Sequence, residues 1–76
     1  MPGVPTHDPL IAFGTRLREL RTRKNLSQEK LAELADLHRN YVGLLERGQS
    51  NVSLVTLVAL ARALSVRPFK LIERIR

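Results

Sequence analysis

From Leu10 onward, large apolar residues recur at steps of three and four, through Phe13 and Leu17 to Leu20. That spacing gathers side chains on one face of a helix. The pair Asp8-Pro9 just ahead of them suits a helix start, because an aspartate side chain accepts from free backbone N–H groups and proline fits the first helical position. The pattern predicts a first helix from there to about Lys24. Asn25 stops it, asparagine being a residue that tolerates the left-handed conformation in which many helices end. Ser27 then caps a second helix, Glu29 lies favourably near its positive end, and Leu31, Leu34 and Ala35 form its inner stripe. Lys30 stands where a full capping box would carry Glu or Gln. Only Asp36 and Leu37 separate this stripe from the next polar-to-apolar segment, "HRNYVGLLERGQ", so helices two and three meet through a very tight turn. The third helix ends at Gly48, and Ser53 caps a fourth whose Leu54, Leu57, Val58, Ala61 and Leu64 face inward. Pro68 opens a fifth that runs through Arg76. No segment alternates with the period of a half-buried strand, and no repeat or low-complexity stretch intervenes. The expected fold is all-α, a compact set of five helices.

Residues 1–7 hold two prolines and a glycine without a periodic apolar pattern, and read as a flexible arm ahead of a single domain at 8–76. With 76 residues the core is near the lower size limit for standing alone, so a partner subunit would help. An apolar content of 43% argues against disorder, while no apolar run approaches the roughly 18 residues of a membrane span. Without a secretory signal pattern or any cysteine, the expectation is a cytoplasmic protein with no disulfide and no thiolate-bound metal. Thirteen Lys+Arg against seven Asp+Glu give a net charge of +6, which suits a polyanionic partner such as nucleic acid. An enzyme is not expected, because no Ser/His/Asp set, paired acids, phosphate-binding glycine loop or metal-ligand cluster is discernible. No cofactor is expected either.

The stretch "LSQEKLAELADLHRNYVGLLERG", residues 26 to 48, resembles the helix-turn-helix of the lambda-repressor-like (Cro/CI, or XRE) DNA-binding family. The match is carried by Gln28, Leu31, Ala32, Ala35, Leu37, Val42, Leu45, Glu46, Arg47 and Gly48. It places the helix-turn-helix at about 27–47 and dimerisation helices at about 54–76. Ala32 faces the following helix at closest approach, where a larger side chain would displace it. Leu31, Leu37, Val42 and Leu45 form the wedge between the two helices. The resemblance implies that Arg21 and Glu46 form a buried pair tying helix one to helix three. Two positions depart from the family pattern. Asp36 replaces the usual turn glycine, and His38 stands where Ser, Thr or Asp normally caps, which predicts a weak cap.

With Val42 and Leu45 inward, the helical period turns Arg39, Asn40, Gly43, Leu44 and Arg47 outward. The family assigns base contacts to this face. Arg39 has the donors for guanine O6 and N7, Asn40 matches adenine N6 and N7, and Leu44 can touch a thymine methyl. Gly43 is either a point of close approach to DNA or a tolerant exposed site. Phosphate contacts are expected from Gln28, at the first turn of helix two, and from Arg47, Gln49, Ser50 and Asn51. Tyr41 either reaches a phosphate or packs at the helix edge, and His38 either touches a phosphate when protonated or is plain surface. His7, in the arm, is expected to be solvated. The basic cluster Arg16, Arg18, Arg21, Arg23 and Lys24 mostly flanks the apolar stripe of helix one, and reads as a wet face.

Val55 and Ala59 lie off the inner stripe of helix four, while Phe69, Leu71, Ile72 and Ile75 nearly encircle helix five. One small core cannot bury them all, which predicts a two-fold homodimer setting two reading helices about one DNA turn apart on a pseudo-palindromic operator. The order "LHRNYVGLLERGQSNVSLVTLVALARAL" is similar in particular to the small controller proteins of restriction-modification systems. That subgroup implies autoregulation of transcription, binding as one or two dimers upstream of its own gene. Activation would need an RNA polymerase contact, for which Glu29 or Glu33 is the candidate. An antitoxin that also binds DNA is the second reading, although no extra segment supplies a toxin-contacting surface.

Overall fold

The computed structural model describes residues 8–75, so the arm at 1–7 with His7, and Arg76 at the other end, lie outside the described residues. Five helices follow in order, α1 (Pro9–Arg23), α2 (Gln28–Ala35), α3 (Arg39–Glu46), α4 (Leu54–Leu64) and α5 (Phe69–Ile72), with no strand among the described residues. The first four begin at capping side chains. Asp8 accepts from the N–H groups of Leu10 and Ile11, Ser27 from Lys30, His38 from Asn40 and Ser53 from Thr56. His38 therefore does cap α3, through Nδ1 at 3.1 Å, against the expectation of a weak cap. An imidazole nitrogen without its proton is an acceptor like a serine oxygen, so the helix end is satisfied.

The first four helices also share one way of stopping. Asn25, Asp36, Gly48 and Ser65 each adopt positive φ, between 57° and 71°, and only one of the four is glycine. In each case the next residue's N–H reaches back to a carbonyl five positions earlier, as from Leu37 to Ala32 at 2.8 Å and from Val66 to Ala61 at 3.0 Å. Left-handed backbone costs an L-residue about 1–2 kcal/mol. The apolar residues Leu26, Leu37 and Val66 that follow pack against the core, and that burial offsets the cost.

The core joins Phe13, Leu17 and Leu20 of α1 to Leu31, Ala32 and Ala35, Val42 and Leu45, Leu57, Leu60, Ala61 and Leu64, and Leu71 of α5. Three details differ from the sequence pattern. Leu34 is exposed and Ala32 takes its place inside, because α2 packs against both α3 and α4 and the arc they cover runs through Leu31, Ala32 and Ala35. Leu54, the first residue of α4, is 74% exposed, and the buried face of that helix begins one turn later and includes Leu60. Finally α5 is four residues long and ends at Ile72, short of the expected run. The buried Arg16 of α1 donates from Nε to the Lys70 carbonyl at 3.0 Å, the acceptor a continuing helix would offer to Arg74, and from Nη2 to Glu73 at 2.9 Å. Arg16 is thus a structural clasp and not part of a wet basic face.

Where α1 crosses α3 the two backbones touch. A Cβ built on Gly14 would overlap the Leu45 carbonyl oxygen and stand 2.6 Å from that of Glu46, so only glycine fits there. Gly14→Ala is expected to destabilise the fold by about 1–3 kcal/mol, as overpacking does when the obstacle is backbone. Urea denaturation checks this; an unchanged midpoint would mean that α1 shifts freely over α3.

Candidate nucleic-acid interface

The tight turn between α2 and α3 leaves the outer side of α3 facing the N-terminal turn of α2 across an open groove. Arg21, Ser27, Gln28, Glu29, Arg39, Asn40, Gly43, Leu44 and Arg47 line it. Arg39, Asn40, Leu44 and Arg47 are exposed, so four side chains expected on the reading face do point outward together. Gly43 does not. It is buried beneath the side chains of Gln28 and Arg47, and a Cβ there would stand 3.2 Å from Arg47 Nη1. Its lack of a side chain lets the Arg47 guanidinium lie across α3 at this point.

One buried carboxylate ties together the helices behind the groove. The Glu46 side chain is 3% exposed and accepts from Arg21 through both Nε and Nη2, the latter at 3.0 Å, and from Gln28 Nε2 at 3.0 Å. Arg21 also donates to the Leu26 carbonyl at 2.7 Å. The end of α1, the start of α2 and the end of α3 therefore converge on a single side chain, and every buried side-chain polar atom among the described residues has a partner. Since only the amide nitrogen can donate to Glu46, the amide oxygen of Gln28 is the atom turned toward Gly43.

The remaining sequence candidates fall around the rim. Arg47 donates from Nε to Gln49 Oε1 at 3.1 Å, which pairs two expected phosphate contacts at the end of α3. Tyr41 is half-buried against the core, and its hydroxyl donates to the Asn51 carbonyl at 2.8 Å. Through this bond Tyr41 pins the loop that carries Ser50 and Asn51 to α3, as the packing alternative expects. His38 lies outside the main groove, in a shallower one with Glu29, Glu33, Leu37 and Arg39. Across the mouth of the main groove Glu29 Oε2 meets Arg39 Nη1 at 3.3 Å, a contact that nothing in the residue spacing announces.

A family profile described as Helix-turn-helix matches residues 17–71. The chain belongs to the helix-turn-helix family. Within it, the chain is 44% identical to the control protein C.BamHI of Bacillus amyloliquefaciens over 69 residues, 90% of this chain and 85% of that one. It is 50% identical to the control protein C.SmaI of Serratia marcescens over 58 residues, 76% of this chain and 69% of the other. Among solved structures, the restriction-modification controller protein C.AhdI from Aeromonas hydrophila superposes with a TM-score of 0.81 at 61% identity, covering 82% of this chain and 94% of that one. The resemblance to XRE-type helix-turn-helix proteins, and to controller proteins among them, is thus found in sequence relatives and in a solved structure alike. In helix-turn-helix terms α2 is the supporting helix and α3 the reading helix.

This helix-turn-helix protein carries a second feature away from the groove. Leu54, Val55, Val58, Ala59 and Arg62 of α4 line a shallow apolar depression, with Val55 81% exposed. Phe69 and Ile72 of α5 are also exposed, and Lys70 Nζ lies 5.6 Å from the centre of the Phe69 ring. Of the residues expected at a dimer interface, Leu71 is fully buried in the protomer's own core and is unable to reach a partner; Ala59 and Ile75 are half-buried against that core. No helix among the described residues is long and apolar enough to cross a membrane.

Arg21→Ala would leave the Glu46 carboxylate buried with Gln28 as its remaining side-chain donor. Removing one partner of a buried pair typically costs about 3–5 kcal/mol, because the other charge is stranded. A domain of this size has little stability to lose. Thermal unfolding should therefore show Arg21→Ala far less stable than the double replacement of Arg21 and Glu46 by Met. Equal stability of the two variants would remove the pair from the architecture.

Proposed function

We propose that this protein is a sequence-specific DNA-binding transcription regulator of the controller type, acting as a homodimer on a pseudo-palindromic operator upstream of its own gene. The observation that carries this reading is the groove in which Arg39, Asn40, Leu44 and Arg47 face outward on an α3 fixed from behind by Arg21, Glu46 and Gln28. In that arrangement α3 enters the major groove, Arg39 gives two donors to a guanine, and Asn40 pairs with an adenine edge. Gln28, Arg47, Gln49, Ser50 and Asn51 position the backbone, with His38 at the entry to α3. The apolar depression on α4 and the exposed Phe69 and Ile72 of α5 join two copies, so that their reading helices stand about 34 Å apart along the duplex. Two such dimers on adjacent sites, and an RNA polymerase contact through the exposed Glu33 of α2, belong to the same reading. The surface so described contains nothing that favours an antitoxin.

The test is a titration of the protein into labelled DNA from upstream of its gene, beside a shuffled fragment, at two salt concentrations. A preference of about a thousandfold for the native fragment is expected, within the usual range for specific binding. Arg39→Ala should weaken native binding by about 1–3 kcal/mol and relax preference at one base pair in each half-site. Equal losses on both fragments would mean that Arg39 reads no base. For the interface, Val55→Glu places a charge on a largely solvated position of α4, so the protomer keeps its fold. Sedimentation should then show a monomer in place of a dimer, and an unchanged mass would move the interface elsewhere.

A further inference from the structure

Among the described residues Glu29 is the one carboxylate lining the groove proposed to receive DNA, and a carboxylate facing phosphates weakens attraction to any duplex. Its place is well defined. It lies in the first turn of α2, between the helix cap at Ser27 and the chain that follows, beside the Gln28 whose amide is tied to Glu46. The positive end of α2 favours a negative charge there. From this position its Oε2 holds Arg39 Nη1 at 3.3 Å, with both side chains largely in solvent, 73% and 66% exposed. We infer that Glu29 is a specificity-determining residue, which holds the Arg39 guanidinium away from phosphates while leaving it free to read guanine.

The chemistry of the guanidinium makes the two partners unequal. It carries five N–H donors in a planar fork, and Glu29 occupies one of them. Two adjacent donors remain for guanine O6 and N7, so a correctly placed base is bound without releasing the carboxylate. On random DNA a guanine edge stands at the right position in only a minority of registers, and in the others the competing partner for Arg39 is a phosphate. Glu29 then opposes the contact twice, by occupying the guanidinium and by repelling the phosphate. It lowers binding to wrong sequences more than to the operator, which is how a repulsive element creates discrimination.

The inference rests on the DNA-reading role proposed above, and its test separates the two. Glu29→Ala and Glu29→Gln are measured alone and combined with Arg39→Ala, on the native upstream fragment and the shuffled one, at two salt concentrations. Glu29→Ala is expected to tighten shuffled DNA about threefold to tenfold and native DNA by about twofold at most. The salt slope on shuffled DNA should steepen by about one, as Arg39 becomes a phosphate contact. With Arg39 already Ala, removing Glu29 should change both fragments equally and leave the slope as it was. Glu29→Gln, which keeps size and helix while removing charge, should move in the same direction and carries the test if the alanine variant melts early. Equal tightening of both fragments with Arg39 present, or the same loss of discrimination without it, overturns the inference while leaving the regulator intact. A wild-type protein that does not distinguish the two fragments overturns the DNA-reading role, and the inference with it.

Discussion

Everything on the reading side of this protein depends on the buried pair between Arg21 and Glu46. Taking two charges out of water is expensive, and such a pair adds little net stability when compared with well-packed apolar residues. Its effect lies in what it forbids. Any rotation of α3 about its axis, or slide along α1, separates the guanidinium from the carboxylate while both remain desolvated. The Gly14 crossing acts at the same place by different means, since it lets the α1 backbone touch the carbonyls of Leu45 and Glu46. A directional ion pair and a hard backbone contact on successive residues of α3 leave that helix one orientation. Gln28 adds the supporting helix to the same carboxylate. The groove is thus shaped before any ligand arrives.

The angle between α2 and α3 is set separately, by the chain reversal at Asp36. Its left-handed backbone returns the chain within three residues, and Leu37 bonds back to the carbonyl of Ala32. The small Ala32 keeps the two helices in contact there. The same local device recurs after α1, α3 and α4, so the fold is assembled from short helices that each terminate themselves. In a chain this small, where a long-range core supplies limited stability, such local consistency matters.

Those local devices are why so much of the fold was legible in the residues. Caps at Asp8, Ser27 and Ser53, and stops at Asn25 and Gly48, are chemistry of one or two side chains acting on their own backbone. The stop at Ser65 escaped notice because serine gives little hint of positive φ. What a helical stripe does not reveal is how wide an arc its neighbours cover, and so Leu34 and Leu54 read as interior and Leu60 did not. Contacts between residues far apart in the chain left no signal either. Arg16 looks like any arginine on an amphipathic helix until α5 folds over it, and Glu29 meets Arg39 only once the turn has closed. The outward face of α3, proposed to read DNA, was visible because Val42 and Leu45 fix which side of the helix is buried. The fate of Gly43 was not, since its burial depends on where Gln28 and Arg47 lay their side chains.

The charge balance has a consequence for how the protein must bind. The net charge of +6 counts every ion pair as zero, and little of that surplus belongs to the groove. Arg21 is neutralised by Glu46; Arg16 is enclosed with Glu73; Arg74 lies 2.8 Å and Arg23 3.9 Å from Glu19, on α1. At the groove itself Arg39 meets the Glu29 carboxylate, which leaves Arg47 as the one cation of its lining without a carboxylate contact among those described. So few cations release few counterions, and the sequence-independent part of DNA binding by one protomer is correspondingly small. A weak non-specific term favours discrimination, because competing sites hold the protein loosely, but it leaves a single protomer short of affinity. Joining two copies restores it without adding charge, since the second reading helix is delivered to its half-site at high effective concentration. On the proposed reading, the apolar face of α4 and α5 and the sparing use of charge at α3 are two halves of one design: affinity would come from pairing protomers, and selectivity from the little charge that each protomer presents.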